Sequence, residues 1–133
     1  MNDTESLPVG LVGWCDLTVQ NAGEIRDFYC ATVGWDAAEV DVGGHSDFIM
    51  LPRGSEDAVA GICHARGASA DLPPQWLVYV VVEDVDEAVA RCLEMGGEVA
   101  AAPRAMGGGR VCVIRDPAGA VCALWTPAID EDA

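Results

Sequence analysis

Residues Trp76 to Gly97 read WLVYVVVEDVDEAVARCLEMGG, and this stretch shows how the whole chain is organised. Trp76 to Glu83 is a run of β-branched and aromatic residues of strand length. An acidic cap follows, Asp84 or Asp86, then a helix carrying Val89, Cys92 and Leu93, which Gly96-Gly97 ends. The same order occurs once before. Shifted by 63 positions, Val19, Glu24 and Gly34 fall on Val82, Glu87 and Gly97. Leu11 to Val19, LVGWCDLTV, alternates in its second half as a half-buried strand does. Asn21 with Glu24 has the form of a capping box. The helix it opens runs to about Val33, with Ile25, Phe28, Tyr29 and Thr32 at helical spacing and Gly34 as its stop.

Three short strands are predicted after each helix. The first set is Ala38 to Val42, Asp47 to Leu51 and Ala58 to His64, with turns at Gly43-Gly44 and Arg53 to Asp57. The second set is Glu98 to Ala102, Arg110 to Arg115 and Ala120 to Thr126, the last two joined by the turn Asp116-Pro117-Ala118-Gly119. Ala58-Val59 matches Ala120-Val121 at a shift of 62. A repeated unit of strand, helix and three strands is strong evidence of organisation. Pro103 to Arg110, with three glycines, reads as a mobile loop, and Ala65 to Pro74 as a linker. The expectation is one domain over residues 1–133, with module one at about 10–64, the linker at 65–74 and module two at 75–127.

Composition narrows the function. There are 22 acidic and 7 basic residues, all seven arginine, for a formal charge of −15. Nucleic acids require a basic footprint and anionic membranes favour one, so neither partner is expected. No apolar run approaches the ~20 residues that span a bilayer. The opening MNDTESLPVG has no basic or apolar leader, so the expected address is the cytoplasm. The six cysteines, Cys15, Cys30, Cys63, Cys92, Cys112 and Cys122, form no C-x-x-C pair and are expected as reduced thiols that fill space.

The element order and its motifs resemble the vicinal oxygen chelate superfamily of glyoxalases, extradiol dioxygenases and bleomycin-resistance proteins. The motifs are Phe28-Tyr29 before Val33-Gly34-Trp35, VEDVDEA at Val82 to Ala88 with Gly96-Gly97, and DPAG at Asp116 to Gly119. The openings VGWCDL and WLVYVVVEDVD look most like an actinobacterial glyoxalase-like subgroup. The resemblance covers about Gly10 to Pro127. It implies an α+β fold, with two βαβββ modules forming a curled mixed-sheet half-barrel around a cavity and helices outside. It also implies a homodimer.

Metal-dependent members of that family carry His or Glu at four strand positions. Here those positions are Trp14, Gly61, Leu77 and Ala123, none with an imidazole, carboxylate or thiolate donor. The resemblance therefore implies no metal at the family site, and no cofactor is expected. The two histidines, His45 and His64, are expected apart, His45 exposed beside its turn and His64 at a strand end.

Strand alternation predicts an inward set of Trp14, Asp16 and Thr18, then Val59, Gly61 and Cys63, Leu77, Tyr79 and Val81, and Val121, Ala123 and Trp125. Cys15, Leu17, Val80, Val82, Cys122 and Leu124 should pack beneath the helices. The candidate ligand-binding residues are Trp14, Asp16, Phe48, Met50, Cys63, Tyr79, Met106, Arg110 and Trp125. Indole and phenol faces beside small residues suit a flat aromatic guest, with Met106 as a flexible lid. The competing reading of Trp14 and Trp125 is space filling, and that of Tyr79 a structural hydrogen bond. Asp16 is the catalytic candidate, because a carboxylate on a cavity face is costly unless paired, wet or used. It could bind a cationic amine, act as a base, or pair with Arg110 or a backbone amide. Cys63 has no histidine at a recognisable offset to activate it.

The leading expectation is a small-molecule-binding protein of the glyoxalase/bleomycin-resistance type. It would sequester a planar aromatic or cationic natural product without metal chemistry, and metal-dependent lyase or dioxygenase activity is not expected. The alternatives are a metal-independent isomerase or lyase using Asp16 with Tyr79 as acid–base groups, and a module that binds nothing.

Overall fold

The computed structural model describes residues 7–42, 45–67, 70–106 and 108–127. Ten elements follow in order: β1 (Val12–Val19), α1 (Ala22–Val33), β2 (Asp36–Asp41), β3 (Ser46–Leu51), β4 (Ala60–His64), β5 (Trp76–Val81), α2 (Val85–Glu94), β6 (Glu98–Met106), β7 (Gly109–Arg115) and β8 (Val121–Thr126). Each helix is followed by three strands, as the repeat predicts. The Gly43-Gly44 turn, Gly107 and part of the expected linker lie outside the described residues.

The chain divides into two compact units. The first is Trp14–Trp76; the second joins the residues up to Gly13 to those from Leu77 onward. Residues 10–13, expected with module one, belong with the second unit through backbone bonds. Gly10 N–H donates to the Val81 carbonyl at 2.8 Å, and Val81 N–H to the Leu11 carbonyl at 2.9 Å.

Within the first unit the strand order is β2-β3-β4-β1, and β1 and β4 run parallel with Asp16 beside Gly61 and Thr18 beside Cys63. The β3–β4 and β2–β3 pairs are antiparallel. The second unit repeats this as β6-β7-β8-β5. There β5 and β8 are parallel with Tyr79 beside Ala123, and the other two pairs are antiparallel. β2 is exposed along its length, and Asp36, Glu39 and Asp41 place charges on this edge strand.

The helices end on a left-handed glycine at different points, Gly34 as the cap of α1 and Gly96 one residue beyond the Met95 cap of α2, and they also begin differently. Gly34 takes a left-handed φ of 86° and donates its N–H to the Cys30 carbonyl, a conformation in which a Cβ is costly. Asp84 caps α2 by accepting from the Glu87 N–H at 3.1 Å. The expected box at α1 is incomplete. Asn21 bonds the Glu24 side chain at 3.2 Å and caps no backbone group.

The core of the first unit gathers Ala22, Phe48, Met50, Ala60 and Ile62, with Cys15, Val19, Ile25 and Tyr29 packed against it. Trp35 and Trp76 join through Tyr29, whose hydroxyl accepts from the Trp76 Nε1 at 3.1 Å. In the second unit Leu77, Tyr79, Val81, Val111, Val113 and Ala123 are buried. All six cysteines are free. Among the described residues no helix is long and apolar enough to cross a membrane.

The segment read as a mobile loop is mostly strand. β6 runs to Met106, which pairs with Gly109 across a hairpin. Pro103 is accommodated because β6 is an edge strand whose register shifts between Ala101 and Arg104. Met106 is thus a strand-end residue rather than a lid on a free loop.

Candidate functional site

β1 of the first unit sorts its side chains by parity. Cys15 and Val19 pack with the core that holds α1, so Trp14, Asp16 and Thr18 take the opposite face. On that face the Trp14 indole Nε1 donates to Asp16 Oδ1 at 2.6 Å. Gly61 lies beside Asp16 on β4, and a Cβ there would collide with the Asp16 carboxylate and stand 3.5 Å from the Trp14 ring. A side chain at position 61 would occupy the space the carboxylate needs. Cys63 follows two residues on, on the same face. Trp14, Asp16 and Cys63 are all half-buried, so the face is partly screened from water and still reachable.

Phe48 and Met50 do not belong to this face. β3 pairs Phe48 with Ile62 and Met50 with Ala60, and directly paired residues share a face. Both are core residues on the α1 side, with Arg26 lying 4.6 Å over the Phe48 ring. The residue that shares the Asp16 face is Ile49, paired with Gly61. Carrying parity from β4 to β3 through the register would have selected it.

The second unit arranges its own candidates differently. Tyr79 and Trp125 meet edge to face, ring centres 6.1 Å apart, on the face opposite α2. Trp125 also closes over Gly13, where a Cβ would stand 2.9 Å from its ring. Tyr79 is only 4% exposed. Arg110 is on the other face, because Val111 and Val113 have the parity of Ala123 and Trp125. Its guanidinium makes two bonds to Asp86 at the start of α2, at 2.9 and 3.1 Å. That hydrogen-bonded partner pushes the Arg110 pKa further up and spends the charge locally. Arg110 is therefore a helix-side ion pair rather than a ligand contact.

Burial pushes the thiols of Cys15, Cys112 and Cys122 above their ordinary value, with Asp16 adding to the effect at Cys15 and Asp116 at Cys122. Thiols held protonated are poor nucleophiles. Two of the described grooves lie on the helix sides. One of about 290 Å³ is lined by Leu17, Ile25, Phe28, Tyr29 and Trp76, and one of about 430 Å³ by Asp84, Glu87, Arg91, Cys92 and Leu124.

Trp14, Gly61, Leu77 and Ala123 offer no donor atom for an ion, so the metal-binding pattern of the fold does not fit this chain at those positions. His45, Asp47 and His64 do come together. His64 Nδ1 is 3.1 Å and His45 Nε2 is 3.6 Å from Asp47 Oδ1. The expectation that the histidines stand apart, with His45 exposed, is corrected: the His45 side chain is 21% exposed. Sequence spacing does not single out Asp47, because only the antiparallel β3–β4 register brings it to the end of β4.

A strand, a helix and three strands, twice over, with each last strand parallel to its first, defines a paired βαβββ fold. The chain belongs to the Glyoxalase/Bleomycin resistance protein/Dioxygenase superfamily, whose sequence profile matches residues 11–124. Among its relatives is a protein of Mycobacterium tuberculosis named putative glyoxylase CFP32, 32% identical over 118 residues, covering 87% of this chain and 45% of the relative. Another is the anthracycline biosynthesis protein DnrV of Streptomyces peucetius, 35% identical over 111 residues, covering 84% of this chain and 39% of the relative. The chain thus spans less than half the length of these curated relatives. The methylmalonyl-CoA epimerase of Mycobacterium tuberculosis shares the fold at 17% identity and a TM-score of 0.57, over 94% of this chain and 95% of that one.

Proposed function

We propose that the chain is a small-molecule-binding module that holds a planar aromatic or cationic natural product on the first unit's sheet face, without metal chemistry at the family positions. The observation that carries this reading is the Trp14–Asp16 pair, held at 2.6 Å over a glycine that leaves it room. An indole supplies a stacking surface, and a carboxylate on a screened face attracts a cationic amine. Cys63 and Thr18 complete the face with small groups. The relative named for anthracycline biosynthesis supports a polycyclic aromatic ligand class, since anthracyclines are flat and carry an amino sugar. We further propose a cytoplasmic homodimer. Phe28 and Val33 on α1 are exposed and supply apolar surface for self-association, which light scattering tests.

The test of the ligand reading is an equilibrium titration of tryptophan fluorescence with planar quinones and phenazines, cationic and neutral, followed by mass spectrometry of the recovered compound. The expected result is quenching by an unaltered ligand. Asp16→Asn should weaken a cationic ligand about tenfold or more, since a charge-assisted hydrogen bond contributes roughly 1.5–3 kcal/mol. Affinity unchanged in Asp16→Asn would overturn the proposed face. A ligand recovered as an isomer or cleavage product would instead give Asp16 an acid–base role.

A further inference from the structure

We propose that His45, Asp47 and His64 form a binding site for a divalent transition-metal ion at the end of the first unit's sheet. Its three residues are distinct from Trp14 and Asp16 and from the donor-free family positions. β3 begins at Ser46 and β4 ends at His64, and their antiparallel pairing carries the start of one to the end of the other. The three candidate ligand atoms all lie within 4.8 Å of one another. The two separations from Asp47 Oδ1 are 3.1 and 3.6 Å. Donors about 2.0–2.1 Å from a tetrahedral ion stand roughly 3.3 Å apart, so both Asp47 separations already match within tenths of an ångström, and the two histidine nitrogens, within 4.8 Å of each other, close by rotation of the rings.

The arrangement is more than a histidine bonded to a carboxylate. That bond accounts for His64 and Asp47, but the His45 nitrogen faces the same oxygen from 3.6 Å, beyond hydrogen-bond range. The two imidazoles stand edge to face, centres 5.4 Å apart and planes at 90°, and each brings a ring nitrogen within 4 Å of the same carboxylate oxygen. The carboxylate is fixed by the His64 backbone N–H at 2.9 Å, the kind of outer hydrogen bond that orients metal ligands. The side chains of His45, Asp47 and His64 are 21%, 19% and 25% exposed, so the site is sheltered and still reachable. The nearby Arg26 is paired with Asp27 at 2.9 Å.

The second unit shows that the scaffold does not demand this cluster. There β7 pairs Cys112 with Leu124 as β3 pairs Phe48 with Ile62. The matching positions are then Gly109, Val111 and Thr126, none of them a ligand set. Two imidazoles and one carboxylate suit zinc, iron(II), cobalt or nickel rather than calcium or magnesium. Three protein ligands leave room for water or another small donor.

The test uses the whole chain, stripped with a chelator and titrated with Co²⁺ by visible absorption, then with Zn²⁺ in competition. The expected result is one ion per chain, with d–d bands of nitrogen and oxygen ligation and no thiolate charge-transfer band. His45→Ala and Asp47→Asn should each weaken binding at least about tenfold, since even outer-shell losses cost that much. Circular dichroism checks each variant; His45, outside β3, is the substitution least able to disturb the sheet. No binding, a thiolate band, or full affinity in a folded His45→Ala protein would overturn the site. None of these outcomes bears on the aromatic ligand.

Discussion

The two units have the same strand order and opposite chemistry. Where the first places Trp14, Asp16, Gly61 and Cys63, the matching registers of the second place Leu77, Tyr79, Ala123 and Trp125. The first set has a carboxylate, an indole bonded to it and an empty glycine position. The second has Leu77, Tyr79 and Ala123 buried and a half-buried Trp125 that meets Tyr79 edge to face. The strand ends diverge likewise. His64 faces Asp47 beside Val19, whereas Thr126 donates its hydroxyl to the Val82 carbonyl at 3.0 Å. On this one face the duplicated scaffold thus carries apolar packing in one copy and polar groups in the other, while both copies keep a buried core. The proposed site lies where the copies differ, since the fold they share does not specify function.

The sharpest way to break this contrast is to exchange its smallest residues. Gly61→Ala should destabilise the protein by about 1–3 kcal/mol, because the new methyl group meets the Asp16 carboxylate and moving that group breaks its bond to Trp14. It should also weaken ligand binding. The reverse change, Ala123→Gly, should cost about 1–2 kcal/mol from a lost buried methyl and added chain entropy, with no effect on ligand affinity. Urea denaturation of both variants beside a binding titration checks this. Equal affinity loss in both would erase the distinction between the units.

The helix starts supply a smaller contrast. Asp84→Ala removes a cap bonded to the Glu87 N–H and should cost about 1 kcal/mol. Asn21→Ala removes only an exposed side-chain bond and should cost about 0.2–0.5 kcal/mol. Equal shifts in urea midpoint would show that Asn21 caps α1 in solution.

The smallest effect is alkaline. Cys15 in the first unit and Cys112 and Cys122 in the second are held above the ordinary thiol value of 9.0, chiefly by burial. The fold favours their neutral form. Their contribution is therefore fully present below the unfolded value and is lost as pH rises through the folded values. Stability measured by denaturation should fall as pH rises through and beyond the ordinary thiol value, and less so in Cys112→Ala than in the parent.

Much of the fold was legible because duplication doubles each weak signal. The 63-residue shift aligned a strand, a helix and its glycine stop, and strand parity placed Cys15, Trp14 and Asp16 on their observed faces. Within the site, local pattern was not enough. Phe48 and Met50 are assigned to a face only by their pairing with Ile62 and Ala60, a register that one strand alone does not contain. Arg110 has the charge to answer Asp16, yet Asp86, 24 positions away in sequence, holds it on the α2 side of the second unit's own strands. The triglycine stretch suggests a loop, but the bulged edge strand β6 absorbs Pro103 and carries pairing out to Met106. His45 and His64 look isolated in sequence and meet only through the hairpin that joins β3 to β4.

The central claim is that the ligand sits against Trp14. The chain has four tryptophans, Trp14, Trp35, Trp76 and Trp125, so each can be replaced in turn by phenylalanine and titrated with the best quencher. The account predicts that quenching disappears in Trp14→Phe and survives in Trp35→Phe, Trp76→Phe and Trp125→Phe. Full quenching in a folded Trp14→Phe protein would contradict it.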